Sequence, residues 1–272
     1  MCIAAFAWQA HPLYPLVLLL NRDEYFVRPT KPLGWWEGGE ILGGRDEVGG
    51  GTWLACARNG KVAFVTNVLE LHTLPEAKSR GELPVRFLKG TQSPREFAEM
   101  LLEEAHEYNG FNLILADLSS RSMIYITNRP KGEGIRIQEV PPGLHVLSNA
   151  KLDSPWPCLS LQAELLGLKF KKFLYRHGEG EIPVKDMVKN LMRDTKKAEE
   201  SRLPHICSPE WEFGLSSIFV KVETPLGYYG TRSTAALTAS INGDVTFYET
   251  YLEKEMWKEQ TINYRIDKRK QI

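Results

Sequence analysis

The chain has 272 residues, 43% of them hydrophobic and 10% aromatic, which is ample for a substantial core and places it among globular proteins. Lys plus Arg and Asp plus Glu both number 34, so no net field draws nucleic acid or an anionic membrane from a distance, and a basic-surface function is disfavoured. The cysteines (Cys2, Cys56, Cys158, Cys207) and histidines (His11, His72, His106, His145, His177, His205) fall in no disulfide-framework or metal-ligand spacing, so we expect free thiols, a reducing compartment and no structural zinc.

The opening run "MCIAAFAW" reads as a strand. Alternation puts Cys2, Ala4, Phe6 and Trp8 on one face and Ile3, Ala5 and Ala7 on the other. Both faces are apolar, which predicts a central strand buried on both sides. A His11-Pro12 turn leads into a second apolar strand, "YPLVLLLN". The run "PLYPLVLLL" is too short to span a bilayer, and no basic or Arg-rich leader precedes it, so we expect no integral membrane segment and a cytoplasmic location.

"GTWLACARNGKVAFVTN" predicts a hairpin through Asn59-Gly60, a type I′ pair. Ser93, Pro94 and Glu96 provide the cap, first position and capping box of a helix over 93–108, with Phe97, Met100, Leu101 and Tyr108 near helical spacing. Strands follow in "FNLILADL", "SMIYITNR", "IRIQEV" and "GLHVLSN". Helices are predicted in "CLSLQAELLGLKFKKFLYRH" and "VKDMVKNLMRD", and "KKAEESRLPHICSPEWEFG" reads as a long surface loop. A closing meander runs through "SSIFVKVE", "GYYGTRSTAALTAS" and "DVTFYETYL", with a turn at Asn242-Gly243-Asp244. Strands and helices come in runs and no linker divides them, so we expect one α+β domain over 1–272 with largely antiparallel sheets.

Residues suited to chemistry cluster at strand ends. Cys2 stands directly behind the initiator methionine; with Met1 removed it carries a thiol and a free α-amine, a nucleophile with its own base, and otherwise it is a small apolar residue opening a buried strand. The second strand runs straight into Asn21, Arg22, Asp23 and Glu24, either a site or a solvated turn with a local ion pair. Asn67 and Asn149 each end a strand, where a side-chain amide suits a developing oxyanion or simply a turn. Arg232, in "YGTRSTAAL", either reaches a carboxylate or lies on an edge.

Taken in order, "MCIAAFAW", "NRDEYFVRPT", "ILGGRDEVGGGTWLA", "GKVAFVTN", "LSNAKLDSPWP" and "GYYGTRS" resemble the transport and Golgi organisation family, known by its Asn-Arg-Asp-Glu motif. The resemblance covers essentially the whole chain. It implies a fold similar to the N-terminal-nucleophile hydrolases: an αββα sandwich of four layers, with two largely antiparallel sheets between helices. The nearest chemical analogy is the cysteine acylases that cleave linear amides. On that analogy the catalytic set is Cys2, Arg22 with Asp23, Asn67, Asn149 and Arg232. Asn21, Glu24, Arg45, Trp35 and Trp36 would contact ligand, and Phe6 and Trp8 would add apolar wall. The acylases separate their early Arg and Asp by two residues, whereas Arg22 and Asp23 are adjacent and so face opposite ways in a strand.

Two functions follow from the resemblance. One is a carrier of a small acyl compound, acyl-CoA or other lipid, or haem as cargo, associated with secretory organisation and with mitochondria or the Golgi, and requiring no cofactor. In it Arg22, Arg45 and Arg232 would meet phosphates, although "GGRDEVGGG" lacks the spacing of a phosphate loop, and Cys2 or a histidine would ligate haem. The other is a Cys2-dependent hydrolase of amides or thioesters with an apolar acyl group. There the α-amine would take the thiol proton, Asp23 would orient the amine, and the asparagines would hold the oxyanion.

Overall fold

The computed structural model describes residues 2–71, 73–153, 159–203 and 205–267. Strands β1 (Ile3–Trp8) and β2 (Leu16–Tyr25) are buried and antiparallel. The alternation of β1 is the predicted one, and β2 follows the same rule. Ala4, Phe6, Trp8, Leu16, Leu18 and Leu20 point into one core, and Ile3, Ala5, Ala7, Val17 and Leu19 into another.

β3 (Thr30–Trp35), β4 (Ile41–Asp46), β5 (Leu54–Ala57) and β6 (Lys61–Asn67) start the second sheet. The Asn59-Gly60 hairpin forms, but of the pair only Gly60 has positive φ (87°), so the turn is not type I′, which needs positive φ at both residues. Instead Gly60 N donates to Ala57 O and Lys61 N to Asn59 Oδ1.

Helix α1 (Glu82–Lys89) follows, an element absent from the sequence reading. Helix α2 covers only Pro94–Met100; its capping box is formed, but the chain then tightens into turns and a 3₁₀ segment at Ala105–Glu107, so Tyr108 lies beyond it. β7 (Phe111–Asp117), β8 (Ser122–Thr127) and β9 (Arg136–Glu139) complete the second sheet, in order β3-β4-β5-β6-β7-β8-β9.

β10 (Gly143–Leu147) returns to the first sheet beside β1. Helices α3 (Leu159–His177) and α4 (Val184–Leu191) come next; Cys158, at the predicted start of α3, lies outside the described residues. The expected long loop contains helix α5 (Pro209–Leu215), capped by Ser208. β11 (Lys221–Thr224), β12 (Gly227–Ala239), β13 (Asp244–Glu253) and β14 (Met256–Arg265) end the chain. The first sheet runs β10-β1-β2-β12-β13-β14, with β11 on β12.

All the strand pairings are antiparallel. One apolar core lies between the sheets; a second joins the first sheet to α3 and α4, and a third joins the second sheet to α1 and α2. The architecture is therefore the expected four-layer αββα sandwich. A carboxyl group crosses its centre: Glu249 Oε2 on β13 accepts from Leu33 N on β3 at 2.6 Å. Burial pushes that carboxyl up to about 7.

Candidate active site

The ladder between β1 and β2 stops at Ile3 opposite Asn21, whereas β2 runs on to Tyr25 and is paired on its other side by β12. Past the start of β1, the flank of β2 is open. A cavity of about 320 Å³ occupies that opening, and Cys2, Arg22, Asp23, Glu24, Asn67 and Arg80 are among its lining residues. Arg22 and Asp23 point to opposite faces of β2, as alternation requires. They still reach one cavity because it wraps around the end of β1.

Cys2 is 8% exposed. Burial pushes its thiol above the ordinary value and the Asp23 carboxylate adds to that, while the Asp23 backbone N–H and the Arg22 guanidinium act the other way. The resting sulfur is therefore a thiol, and attack on a carbonyl requires a base.

Arg22 stacks over the Trp53 ring at 4.2 Å, donates to Thr30 Oγ1 at 3.2 Å and lies 3.7 Å from Asp46. The ring occupies space that only glycine leaves: a Cβ on Gly44 would sit 2.3 Å from it. Asp46 also accepts from Arg28 Nε at 2.7 Å and from Val48 N and Gly49 N. These bonds hold its carboxyl below the usual value despite burial.

On the other face, Asp23 Oδ1 accepts from Thr231 Oγ1 at 2.6 Å, and Thr231 in turn accepts from Val220 N. Burial pushes the Asp23 carboxyl up to about 6, with Thr231, Lys197 and Arg22 opposing. A register shift in β12 makes this contact. Thr231 pairs with Asp23 and Ser233 with Arg22, leaving Arg232 as the extra residue of a bulge.

Several expected site residues sit elsewhere. Asn21 is turned to the helical layer, donating to Met192 O and Ile218 O and accepting from Thr234 Oγ1. Arg232 lies outside the cavity lining. Its Nη1 donates to the backbone oxygens of Tyr25 and Arg28 and to Thr30 Oγ1, so it braces the turn after β2. Trp35 packs on the inter-sheet core beneath Arg58, and Trp36 packs on the outer core beneath Arg45; none of Trp35, Trp36 and Arg45 lines the cavity. Phe6 and Trp8 are core.

The asparagines divide. Asn67 lines the cavity and is exposed. Asn149 stands behind it, donating from Nδ2 to Asn67 O at 2.5 Å, and its neighbour Ser148 donates to Cys2 O at 3.4 Å. Ser148 and Asn149 together thus tie the end of β6 to the start of β1.

Sequence reading missed Trp53, Asp46, Thr231 and Arg80. Trp53 and Asp46 lie within the quoted "GGRDEVGGGTWLA" stretch, where the glycine density is the signal: besides Gly44, Gly51 meets the 78–81 loop so closely that a Cβ would stand 2.3 Å from Gly81 C. Arg80 carries no such local mark. Among the described residues no cluster of His, Cys, Asp and Glu suits a metal ion, and no helix is long and apolar enough to cross a membrane.

Two antiparallel sheets stacked between helical layers give a fold like that of the N-terminal-nucleophile hydrolases. The chain is similar in fold to conjugated bile acid hydrolase from Clostridium perfringens, both the mutant C2A (TM-score 0.53, 8% identity, 98% of this chain and 97% of that one) and the variant R18L (TM-score 0.52, 8% identity, same coverage). The chain itself belongs to the Transport and Golgi organisation 2 family, which residues 1–254 match. It is 34% identical to the Transport and Golgi organization 2 homolog of Mus musculus over 98% of this chain and 99% of that one. It is 33% identical to the Homo sapiens homolog with the same coverage, and 26% identical to the Drosophila melanogaster protein over 92% of this chain and 91% of that one.

Proposed function

We propose that the protein is a cysteine-dependent acyl hydrolase of small amides or thioesters, acting through Cys2 once Met1 has been removed. The observation that carries this reading is the convergence of Cys2, Arg22, Asp23 and Asn67 on one cavity at the open end of β1. The Cys2 α-amine takes the thiol proton as sulfur attacks the carbonyl carbon, the Asn67 amide donates to the developing oxyanion, and Asp23 holds the resulting ammonium. Collapse expels the amine or thiol leaving group, which takes that proton, and leaves an S-acyl cysteine. Water then adds to the thioester, gives a proton to the α-amine, and the acid departs as the thiol re-forms. Arg22, stacked and tied to Asp46, favours negative charge on sulfur during attack.

The cavity wall is rich in charged side chains, and Phe6, Trp8, Trp35 and Trp36 are outside it. Its chemistry therefore favours a polar substrate over a purely apolar acyl chain. Carriage of acyl-CoA or haem without turnover is the competing outcome. The test is intact mass of protein beginning at Cys2 after incubation with panels of amides, acyl-CoAs and haem. An acyl adduct that is absent in Cys2→Ser supports the hydrolase; unmodified protein retaining acyl-CoA or haem, with no product released, overturns it.

A further inference from the structure

The cations around the cavity are not equivalent. Arg22 is 3.7 Å from Asp46, and Arg28 is 2.7 Å from Asp46 and 3.6 Å from Glu24. Lys78 is 2.5 Å from Glu107 and 3.7 Å from Glu104. Arg80 lines the same cavity, yet among the described residues no carboxylate lies within ion-pair distance of it. The acidic groups whose charge it feels include Glu70 and Glu24, and both are engaged elsewhere. Glu70 holds Arg129 at 2.6 Å and accepts from Gly110 N; Glu24 accepts from Tyr25 N and pairs with Arg28.

The guanidinium is also held in place before any ligand arrives. Arg80 Nη1 donates to Gly110 O at 2.9 Å, the one side-chain hydrogen bond it makes among the described residues. Its backbone is clamped on both sides: Thr52 N donates to Gly81 O, Lys78 N to Glu107 O and Leu83 N to Arg80 O. Gly51 seats so closely on Gly81 that a Cβ would not fit between them, which fixes the loop that carries Arg80. A fixed fork with donors to spare recognises a planar two-oxygen anion better than a mobile ammonium does.

We infer that Arg80 is the specificity-determining residue of the cavity and that the ligand carries a single carboxylate, bound by the Arg80 guanidinium beside the Cys2 thiol. One cation without a described carboxylate matches one negative charge. A phosphate dianion would leave excess charge in a partly enclosed site, which is costly. The substrate class is then a small amide or thioester bearing one carboxylate. This deepens the hydrolase reading and rests on it for the word substrate, but the binding claim stands apart from turnover.

The test uses full-length Cys2→Ser protein, which keeps the cavity and cannot form the thioester. It is titrated calorimetrically with N-acetylglycine, with the matching neutral N-acetylglycinamide, and with inorganic phosphate. The acid should bind at least about tenfold more tightly than the amide, and phosphate more weakly than the acid. Arg80→Met should abolish the preference for the acid over the amide, while Arg80→Lys should retain part of it; thermal melts confirm that each variant is folded. Should Arg80→Met fail to fold, Arg80→Lys and Arg80→Gln decide. Equal binding of acid and amide, tighter binding of phosphate, or an acid preference that survives loss of the guanidinium would overturn the assignment. Failure of turnover in the Cys2 protein would leave these outcomes untouched.

Discussion

Thr231 Oγ1 reaches Asp23 Oδ1 at 2.6 Å because β12 carries one extra residue, Arg232, between them and the regular part of the strand. Thr234 already points to the helical layer, where it donates to Asn21. Three positions away in an unbroken strand Thr231 would face the other side; the bulge turns it back to the same side.

The first prediction concerns that contact. Asp23 titrates at about 6 in the folded chain against 3.8 ordinarily. A carboxyl with a raised folded pKa costs nothing below its unfolded pKa, where both states are protonated. Stability therefore falls as pH rises between about 4 and 6, and a penalty of about 3 kcal/mol persists above that window. Asp23→Asn should flatten this part of the profile and raise stability at neutral pH. Thr231→Val should lower stability at every pH, since Val220 N loses its acceptor, and by about 1 kcal/mol more once Asp23 is ionised, through the lost bond to the carboxylate. Urea unfolding from acid to neutral pH reads both.

The asparagines should separate kinetically. Asn67→Ala should slow acyl-enzyme formation by roughly 10²- to 10³-fold, the usual effect of removing an oxyanion donor. Asn149→Ala should cost less and should raise amide exchange at Leu69, whose N donates to Asn149 O. A larger rate loss for Asn149→Ala than for Asn67→Ala, in single-turnover measurements, would reverse the assignment of donor and support.

Arg232→Met should loosen the turn that follows β2 and leave Cys2 in place. Removing a part-buried guanidinium from backbone oxygens costs about 1–3 kcal/mol. Hydrogen exchange should rise at Arg28, whose N donates to Tyr25 O at 3.1 Å. Unchanged protection there would show that Arg232 does not brace the turn.

Glu249 supplies a second pH dependence. Its carboxyl is raised to about 7 from 4.5 by burial, so its contribution to stability falls as pH climbs from about 4.5 to about 7 and stays low above. Glu249→Gln retains an acceptor for Leu33 N and cannot ionise; it should be more stable than the native chain at pH above about 8, by about 2–3 kcal/mol. Glu249→Ala should be destabilised below about pH 4.5, where the native carboxyl is neutral and Leu33 N loses its partner, and the deficit should shrink as pH rises. Comparing thermal melts of the two variants across pH checks both signs.

The alternation of β1 was legible in the sequence because both of its faces are apolar, and a two-residue period then leaves one arrangement open. Cys2 meets Arg22, Asp23 and Glu24 at one cavity because the His11-Pro12 turn makes their strands neighbours, whereas Asn21 of the same cluster turns to the helical layer. Arg232 was misplaced because a bulge is a register event between two strands more than two hundred residues apart, and no window of β12 reveals it. Trp35, Trp36 and Arg45 were misassigned because an aromatic or arginine near a motif has two faces to choose from, and sheet packing makes that choice. Arg80 was invisible because what distinguishes it is the engagement of its acidic neighbours elsewhere, a property of the folded charge pattern alone. Helix α2 ended early despite its capping box, since a cap starts a helix without setting its length.

The topology also sets a timetable for chemistry at the amino terminus. β2 meets β1 within its first twenty-five residues, but its other neighbour, β12, begins at Gly227. During synthesis the head of the chain must wait for some two hundred further residues before the first sheet can close, and contacts of that sequence separation are among the slowest to form. Once it closes, Cys2 is 8% exposed. On the hydrolase reading, which needs Met1 removed, the interval before that closure is the one in which an aminopeptidase meets the least ordered amino terminus.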